Sequence, residues 1–372
     1  MKRFLQILFS CIVAAVLVWF VFRGTDPHEL RESIRGVNWR WLVASQIPVW
    51  MSFVTRIWRW GYIVRPTAPA SFRGMFSATH IAFLVNFTLP MRLGEFVRAI
   101  VLTRLEKIPI SKSIALTGLD RVTDIIGLMA VMGVALLAFP SDSIVTIPAG
   151  TLAGLNQDYT LPQGLIKSGS IGVGIALLVL VVTLVMLYLN QQTVYAIHDW
   201  CVGLAARIVG VASQALSKIV TKLGEKTRHM LHEFSEGLHV FRSPGDMVKS
   251  ISLSLITWGL FTLTTEMILL AFHVQAPWYS VFVIQGLVAL STSISVTPGF
   301  VGQFHLAVII GVLITSPSTS IPTAKALAIT AHALNLLPVV IAGVVCLILE
   351  RSRLAHIPLL AEAPTLETTQ EG

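Results

Sequence analysis

NFTLPMRLGEFVRA (residues 86–99) interrupts an apolar run at 75–105, and SVTPGFVGQFH (295–305) interrupts a second apolar run at 280–314. Proline removes a backbone donor and glycine loosens a helix, so each motif predicts a break between two half-helices. Such breaks are tolerated at membrane depth only where protein or a water-filled cavity covers the exposed backbone. The motifs therefore predict two re-entrant hairpins, named here the first and the second hairpin.

The two breaks resemble each other in sequence. PxxxGEF at residues 90–96 aligns with PxxxGQF at residues 298–304, at a fixed offset of 208 residues. Paired segments interrupted by Pro and Gly in corresponding halves are typical of transporters built from inverted repeats, and they mark the binding site. The match therefore predicts an inverted repeat whose hairpins enter from opposite faces. The alternative is two unrelated kinked helices that match by chance.

The composition is that of a membrane protein. Of 372 residues, 54% are hydrophobic and 12% are charged, whereas soluble domains carry roughly 25% charged residues. Runs of about 18 or more apolar residues can cross a bilayer, and the clearest are 4–22, 114–139, 171–189, 251–272 and 324–349. We predict an all-α polytopic membrane protein with about six full spans plus the two Pro/Gly-broken hairpins.

The predicted organisation is a single transmembrane domain at 1–350, with a first half at 41–139 and a second half at 250–349. A connector at 191–249 joins them, and a polar cytoplasmic tail follows at 351–372. Apolar residues in the connector lie opposite lysines at helical spacing, which is typical of an amphipathic helix in the cytoplasm or at the membrane surface. These residues are Leu216, Ile219, Val220 and Leu223 against Lys218, Lys222 and Lys226.

Basic residues set the predicted orientation. If the N-terminus, residues 56–74, 92–112, 191–249 and the tail are cytoplasmic, that face has 20 Lys and Arg and the other face has 6. This distribution follows the positive-inside rule and predicts a bacterial inner-membrane protein with both termini in the cytoplasm. The run at 4–22 lacks a small-x-small cleavage site, so we interpret it as an uncleaved span.

Other classes of function find no support in the sequence. The net charge of +8 is not concentrated in a basic stretch interleaved with aromatic residues, so no nucleic-acid partner is expected. The three cysteines form no CxxC pair, and there is no P-loop, HExxH or nucleophile elbow. Asp120 and Asp124 with an arginine between them make a poor magnesium site. We expect neither a metal nor a cofactor.

Four charged residues fall inside the predicted full spans: Asp120, Arg121, Asp124 and Glu266. A charge at the membrane centre costs about 2.5–3.5 kcal/mol on insertion scales, so such residues face the protein interior and are candidates for function. Asp120 and Asp124 lie on one helix face, with Arg121 three residues before Asp124. The group either offers Arg121 to a phosphate or is an internal ion pair that holds helices together.

The first break is followed by Arg92, Glu95 and Arg98 and preceded by Asn86. Glu95 can pair with Arg92 or Arg98 at three-residue spacing, which leaves one guanidinium group for a ligand. A spare arginine beside a half-helix N-terminus favours a phosphate, because the free N–H groups and the helix dipole both attract an anion. The alternative is ordinary snorkelling of basic side chains.

The second break offers free backbone N–H groups at Gly299 and Gly302, followed by Gln303. We include these three residues in the predicted substrate site. His305 and His332, together with Glu266, are candidates for proton coupling. A histidine inside a span is otherwise a satisfied packing residue.

With these segments the chain resembles the flippase-like transmembrane region of the lysylphosphatidylglycerol synthase family, over roughly residues 5–350. The resemblance rests on NFTLPMRLGEFVRA (86–99), DRVTD (120–124), EGLHVFRSP (236–244) and SVTPGFVGQFH (295–305). Family members usually read Pro-Gly-Gly-x-Gly-x-x-Glu at the last segment. Here Phe300 replaces the second glycine and His305 replaces the glutamate.

The resemblance implies a lipid-handling module. In bifunctional members this region is thought to move a charged phospholipid between leaflets, while a separate soluble domain makes that lipid. We expect a stand-alone module without aminoacyl transfer, since the stretch after Leu349 is too short for such a domain. The implied partners are a membrane lipid (an anionic phospholipid, a polyprenyl-phosphate-linked lipid or a hopanoid-type lipid) and a lipid-biosynthetic enzyme.

The leading hypothesis is a flippase or transporter for a phosphate-bearing or glycosylated lipid, with the headgroup held by Arg92, Arg98 and Arg121. One alternative is an integral-membrane transferase acting on a lipid-linked substrate, with Asp120 or Asp124 as base or metal ligand. Another is a non-catalytic partner of a lipid-biosynthetic enzyme. The sequence leaves open whether the protein is an enzyme.

Overall fold

The computed structural model describes residues 2–89, 92–140, 145–160, 190–238, 244–293 and 297–354, with scattered positions between 168 and 186. Within these residues the protein is helical apart from one antiparallel ladder of β1 (Thr146–Ile147) with β2 (Tyr159–Thr160). Four predicted features lie wholly or mainly outside the described residues: Pro90, residues 239–243 of EGLHVFRSP, the run at 171–189 and the polar tail.

The helices are joined mostly by short connections. Up to residue 140 they are α1 (Lys2–Phe22), α2 (Pro27–Arg35), α3 (Trp39–Ala44), α4 (Gln46–Val64), α5 (Phe72–Thr88), α6 (Gly94–Glu106) and α7 (Ile110–Ala138). From residue 190 they are α8 (Gln191–Ala212), α9 (Gln214–Leu238), α10 (Pro244–Ala271), α11 (Ser280–Ser293), α12 (Gln303–Thr315), α13 (Ile321–Leu349) and α14 (Arg351–Leu354). A 3-10 turn at Pro298–Phe300 separates α11 from α12.

Four helical segments in the described part of the chain are long and apolar enough to cross a membrane: Ile110–Ala138, Gly245–Ala271, Pro298–Thr315 and Ile321–Leu349. The end of α1 from Cys11 and the helix α2 meet at 82° and together form a fifth candidate. The prediction of an all-helical, multi-pass membrane protein is thus confirmed. The number of six spans stays a prediction.

The stretch at 56–74, which the charge count assigns to the cytoplasmic side, belongs to α4 over its first part. α4 continues to Val64 and buries Arg59 and Trp60 completely, because Arg59 finds carboxylate partners inside the protein. Lys325, one of the six basic residues counted on the other face, is also buried, in α13, and donates a hydrogen bond to Thr25 Oγ1 at 2.9 Å. The positive-inside rule counts charges along the sequence and does not recognise basic residues that are paired within the fold.

Over its described residues the connector forms two helices, α8 and α9. The two helices contact each other through His198 Nε2 and Thr227 Oγ1 at 2.8 Å, and through an ion pair of Arg228 with Asp199 at 3.1 Å. Their position in the cytoplasm stays a prediction.

The first hairpin consists of α5, the break and α6. At its base, Ser71 caps the start of α5, and both its N–H and its hydroxyl donate to the carboxylate of Glu106 at the end of α6, at 2.9 and 2.7 Å. At its tip, the N–H of Gly94 donates to Asn86 Oδ1 at 2.7 Å. A Cβ at position 94 would collide with the carbonyl oxygen of Ala82, so only glycine lets the two half-helices approach this closely.

The second hairpin consists of α11, the 3-10 turn and α12. Its base is closed where Ser316 Oγ donates to the carbonyl of Gln275 at 2.7 Å. Its tip requires two glycines with left-handed backbone, Gly299 at φ 60° and Gly302 at φ 87°. Phe300, between them, also has positive φ at 59°, as Arg92 has at 51° in the first break, and these two positions are separated by the same 208 residues.

The bases of the two hairpins lie at opposite ends of α13, which at 29 residues is about 43 Å long. Arg73, at the base of the first hairpin, pairs with Glu350 just after the end of α13. Ser316, at the base of the second hairpin, lies four residues before the Ser320 cap that begins α13. The tips meet between these ends, where Arg92 Nη2 donates to the carbonyl of Thr292 at 2.9 Å.

Each hairpin has its own hydrophobic core. The first core packs α5 and α6 against α4 and the start of α7, with Ile57, Trp60, Met75, Leu102 and Leu116 among its members. The second packs α11 and α12 against the end of α10 and the start of α13, with Ile268, Ile284, Ile309, Leu313 and Leu327. The hairpin tips therefore lie between two packed regions.

A buried carboxylate ties the base of the first hairpin to the end of α13. Glu350 is fully buried and accepts hydrogen bonds from Arg73 Nε at 2.8 Å and Arg353 Nη1 at 3.1 Å. Burial acts to raise the pKa of Glu350, but the hydrogen bonds and charges of Arg73 and Arg353 outweigh it and hold this pKa below its usual value. The carboxylate therefore stabilises the fold above the unfolded-state pKa of about 4.3, and this contribution is lost as the pH falls below that value.

We expect Glu350→Gln to lower the free energy of unfolding at pH 7 by about 1–2 kcal/mol, because neutral hydrogen bonds replace charge-assisted ones. Thermal unfolding in detergent measures the effect, with the exposed Glu225→Gln as the matched control. The difference from the unsubstituted protein should shrink below a pH of about 4. Equal melting temperatures at pH 7 would show that this carboxylate does not stabilise the fold.

Candidate functional site

Eight charged side chains converge beside the tip of the first hairpin, and together they are called the charged cluster. They come from α4, from the first break, from α6 and from α7, and they are Arg56, Arg59, Arg92, Glu95, Arg98, Asp120, Arg121 and Asp124. Five are arginines and three are carboxylates.

Asp120 is the centre of the charged cluster and is fully buried. Its Oδ1 accepts hydrogen bonds from Arg59 Nε at 3.2 Å and Nη2 at 2.9 Å. Its Oδ2 accepts from Arg98 Nη1 at 2.6 Å and Arg121 Nη2 at 3.0 Å. Charge-assisted hydrogen bonds of this kind are the strong ones in proteins, and here they join α4, α6 and α7.

Asp124 lies one turn further along α7, and residues of α10 help to hold it in place. Its carboxylate accepts from Arg59 Nη1 at 2.8 Å and from Arg121 Nη1 at 3.5 Å. Trp258 Nε1 donates to the backbone carbonyl of Asp124 at 3.1 Å. Ser254 Oγ accepts from Arg59 and donates to the carbonyl of Thr123. Both carboxylates of α7 are thus held in place by their neighbours.

Arg56 and Arg59 are members of the site that the sequence analysis missed. Both lie within the stretch at 56–74 that the charge count assigns to the cytoplasmic side. The available signal was their three-residue spacing inside an otherwise apolar run, which puts both on one face of α4. Arg59 contacts both carboxylates of α7, so the expected pairing of these carboxylates with Arg121 alone was incomplete.

Two pairings predicted for the first hairpin also differ from those in the structure. Glu95 lies 3.6 Å from Arg121 Nε and is not paired with Arg92 or Arg98. Arg98 is only 1% exposed, stacks on Trp60 with its Cζ 3.6 Å from the ring centre, and is bonded to Asp120. Arg98 therefore lies behind the site as a support, because its charge is already matched by Asp120.

A cavity of about 520 Å³ opens beside the charged cluster, between the two hairpin tips. Its charged lining residues are Arg56, Arg92, Glu95, Arg121 and Asp124. Its uncharged polar lining residues are Asn86, Thr264, Thr265, Gln285, Thr292, Ser293, His332 and Asn335. The remainder is apolar and includes Phe53, Phe83, Phe87, Phe261, Ile268, Val288 and Leu327. Ligand pockets of 300–1,000 Å³ are typical of proteins, so the volume suits one headgroup or a short segment of lipid.

The structure brings part of the predicted site together. Asn86, Arg92, Glu95, Arg121, Asp124 and His332 line the cavity, and Arg98 and Asp120 support it from behind. Gly299, Gly302, Gln303 and His305 shape the second tip without lining the cavity. Glu266 is half-buried on α10 away from the cavity lining, and no ion pair or hydrogen bond joins it to the described residues.

His305 and His332 form a directional hydrogen-bond chain at the second tip. The N–H of Gly302 donates to His305 Nδ1 at 3.2 Å, so this nitrogen carries no proton. The remaining proton of a neutral His305 is on Nε2 and is donated to His332 Nδ1 at 3.3 Å. His332 Nε2 then donates to the carbonyl of Gly299 at 2.9 Å. All four ring nitrogens are used, which fits two neutral side chains that hold the turn in place.

Gln303 braces the same turn by donating from Nε2 to the carbonyl of Ser291 at 2.6 Å. Across the part of the chain that the structure describes, no three His, Cys, Asp or Glu residues are grouped so that they could hold a metal ion.

Comparisons with known proteins bear on the family. No curated protein and no solved structure matches the chain. A family model described as the lysylphosphatidylglycerol synthase TM region matches residues 7–343, which is most of the 372 residues. The match extends over both hairpins and the charged cluster. The chain therefore belongs to the family of lysylphosphatidylglycerol synthase transmembrane regions.

Proposed function

We propose that this protein is a membrane lipid transporter of the flippase type, which binds the phosphate-bearing headgroup of a lipid in the cavity and passes it between leaflets. Membership of the family indicates a role connected with membrane lipids. The observation that carries the proposal is a cavity with a cationic side, next to the charged cluster, and apolar walls elsewhere. A lipid presents the same combination of an anionic group and hydrocarbon.

The charge balance of the site favours an anion. Five guanidinium groups face three carboxylates in the charged cluster, which leaves two positive charges in excess among the described residues. Uncompensated charge at membrane depth is expensive and is typical of functional sites. A phosphate that enters beside Arg92 and Arg121 reduces this excess and accepts charge-assisted hydrogen bonds.

The remaining predicted site residues have supporting roles in this proposal. Asn86 fixes the first tip through Gly94, and Glu95, Asp120 and Asp124 orient Arg121. Gly299, Gly302 and Gln303 shape the second tip. Glu266, His305 and His332 stay candidates for coupling to a proton gradient.

An inverted repeat is the architecture we propose for alternating access. Three observations support it: the matched motifs at 90–96 and 298–304, the positive φ of Arg92 and Phe300 at the same offset, and the bases of the hairpins at opposite ends of α13. Rocking of the two halves would then expose the cavity first to one leaflet and then to the other.

Reconstitution into liposomes tests the transport function. We expect the protein to move acyl-chain-labelled phosphatidylglycerol between leaflets, and we expect Arg92→Ala to slow this about tenfold because a charge-assisted contact of about 1.5–3 kcal/mol is lost. Bleaching of the outer leaflet with dithionite measures the rate. Arg104→Ala, an exposed arginine of the same hairpin, is the matched control and should keep the rate.

The same preparation separates the alternatives. A new lipid species in the extract would indicate a transferase. An inert protein that co-purifies with a lipid-biosynthetic enzyme would indicate a non-catalytic partner.

Single cysteines test the hairpin topology. In a background without Cys11, Cys201 and Cys346, we introduce exposed cysteines at Pro69 and Lys107 beside the base of the first hairpin, and at Trp278 and Ser318 beside the base of the second. An impermeant maleimide should label positions 69 and 107 from one compartment, and positions 278 and 318 from the other.

The repeat proposal also requires that the first pair faces the cytoplasm, since that side has the basic excess. Labelling of 69 and 107 from opposite compartments would show that α5 and α6 together form a complete crossing, and the re-entrant interpretation would be wrong.

A further inference from the structure

Arg56 is the arginine of the cavity lining that has no partner for its hydrogen-bond donors. No acceptor lies at hydrogen-bond distance and no carboxylate lies at ion-pair distance from it among the described residues. The other two lining arginines are engaged: Arg121 bonds to Asp120 and Asp124, and Arg92 donates to the carbonyl of Thr292. A guanidinium group whose five donors are all unused is able to bind an anion.

Two phenyl rings hold this guanidinium group in position. The Cζ atom of Arg56 lies 5.2 Å from the ring centre of Phe83 and 5.4 Å from that of Phe261, both within the range of a cation–π interaction. Such contacts leave the N–H groups free, because the aromatic rings accept no conventional hydrogen bond. Arg56 is therefore positioned before any ligand arrives, and a pre-positioned group loses less entropy on binding.

The carboxylates of the cavity are poorly placed for a cationic headgroup. Both oxygens of Asp124 accept hydrogen bonds from arginines, and Glu95 lies 3.6 Å from Arg121. An ammonium group that approached Glu95 would meet the positive excess of the charged cluster, and like charges brought together cost several kcal/mol. The charged side of the cavity therefore disfavours a headgroup amine.

The rest of the polar lining is neutral. It consists of the hydroxyl and amide groups of Thr264, Thr265, Gln285, Thr292, Ser293 and Asn335, together with His332, whose two ring nitrogens are already used at the second tip. The threonine and serine hydroxyls donate to backbone carbonyls of their own helices, which leaves their oxygens as acceptors. Such groups pair well with hydroxyls, and they offer no counter-charge to an amine.

We propose that the cavity selects lipids whose headgroup is a phosphate carrying hydroxyl groups and no amine, with Arg56 as a phosphate ligand in addition to Arg92 and Arg121. This rests on the proposed transport function and narrows it to one substrate class. A glycerol or sugar esterified to the phosphate meets the requirement. An aminoacylated phosphatidylglycerol does not, although the description of the family names its lysyl form.

Lipid preference in the unsubstituted protein is the first test. Proteoliposomes carry one acyl-chain-labelled lipid at a time: phosphatidylglycerol, phosphatidylethanolamine, phosphatidylcholine or lysyl-phosphatidylglycerol. We expect phosphatidylglycerol to move about tenfold faster than the three lipids that contain an amine or ammonium group. Equal or faster movement of lysyl-phosphatidylglycerol would overturn the selectivity and leave the transport function intact. No movement of any lipid would contradict the transport function itself.

Variants of Arg56 are the second test. Arg56→Gln should slow the movement of phosphatidylglycerol between leaflets about tenfold or more, because it removes a charge-assisted contact to the phosphate. Arg56→Lys keeps the charge but lacks the forked donors, so it should give an intermediate rate. Arg65→Gln, an exposed arginine just after the same helix, is the matched control.

Glu95→Gln distinguishes the two kinds of headgroup directly. If the proposal is correct, the Glu95→Gln variant still moves phosphatidylglycerol faster than lysyl-phosphatidylglycerol. A variant that loses movement of an amine-bearing lipid would instead identify Glu95 as an ammonium ligand. Size-exclusion profiles of all variants show whether each is folded. Should Arg56→Gln fold and move phosphatidylglycerol at the normal rate, Arg56 is not a phosphate ligand.

Discussion

Asp120 accepts hydrogen bonds from three guanidinium groups that come from three helices, and much of the site depends on this one carboxylate. Without it Arg98 would be a buried charge with no carboxylate partner, and Arg59 and Arg121 would each lose one of their carboxylate partners. Removing one partner of a buried ion pair is strongly destabilising, because the other charge is left in a medium that cannot solvate it. The carboxylate thereby fixes α4, α6 and α7 around the first tip. Since Arg59 and Arg98 are used for structure, the arginines that remain for a ligand are Arg56, Arg92 and Arg121 in the cavity lining.

The tips of the hairpins complete the cavity from two directions. The first tip supplies charge, and Gly94 lets its half-helices approach through the hydrogen bond to Asn86. The second tip contributes a turn of defined shape. Two glycines with left-handed backbone form this turn, and hydrogen bonds through His305 and His332 join Gly302 to Gly299. These contacts satisfy polar groups of the non-helical backbone, as a break at membrane depth would require.

Local patterns in the sequence predicted the helical membrane fold, the positions of both breaks and the grouping of Asp120, Arg121 and Asp124. They did not predict Arg56 and Arg59, because the reasons for burying these residues lie elsewhere in the chain: the carboxylate of Asp120 is 61 residues from Arg59. The same holds for the pairing of Glu95 with Arg121, and for the contact of His305 with His332. Spacing along a helix shows which side chains share a face, but partners on another helix depend on tertiary packing.

The fixed charges around the cavity all come from the first part of the chain. All eight members of the charged cluster lie between residues 56 and 124, whereas residues 264–335 contribute only neutral groups to the cavity wall. No ion pair of the cluster has to break when the segments that follow slide past it. The resistance to movement therefore comes from apolar packing and from a few hydrogen bonds to uncharged groups, such as that of Arg92 to the Thr292 carbonyl.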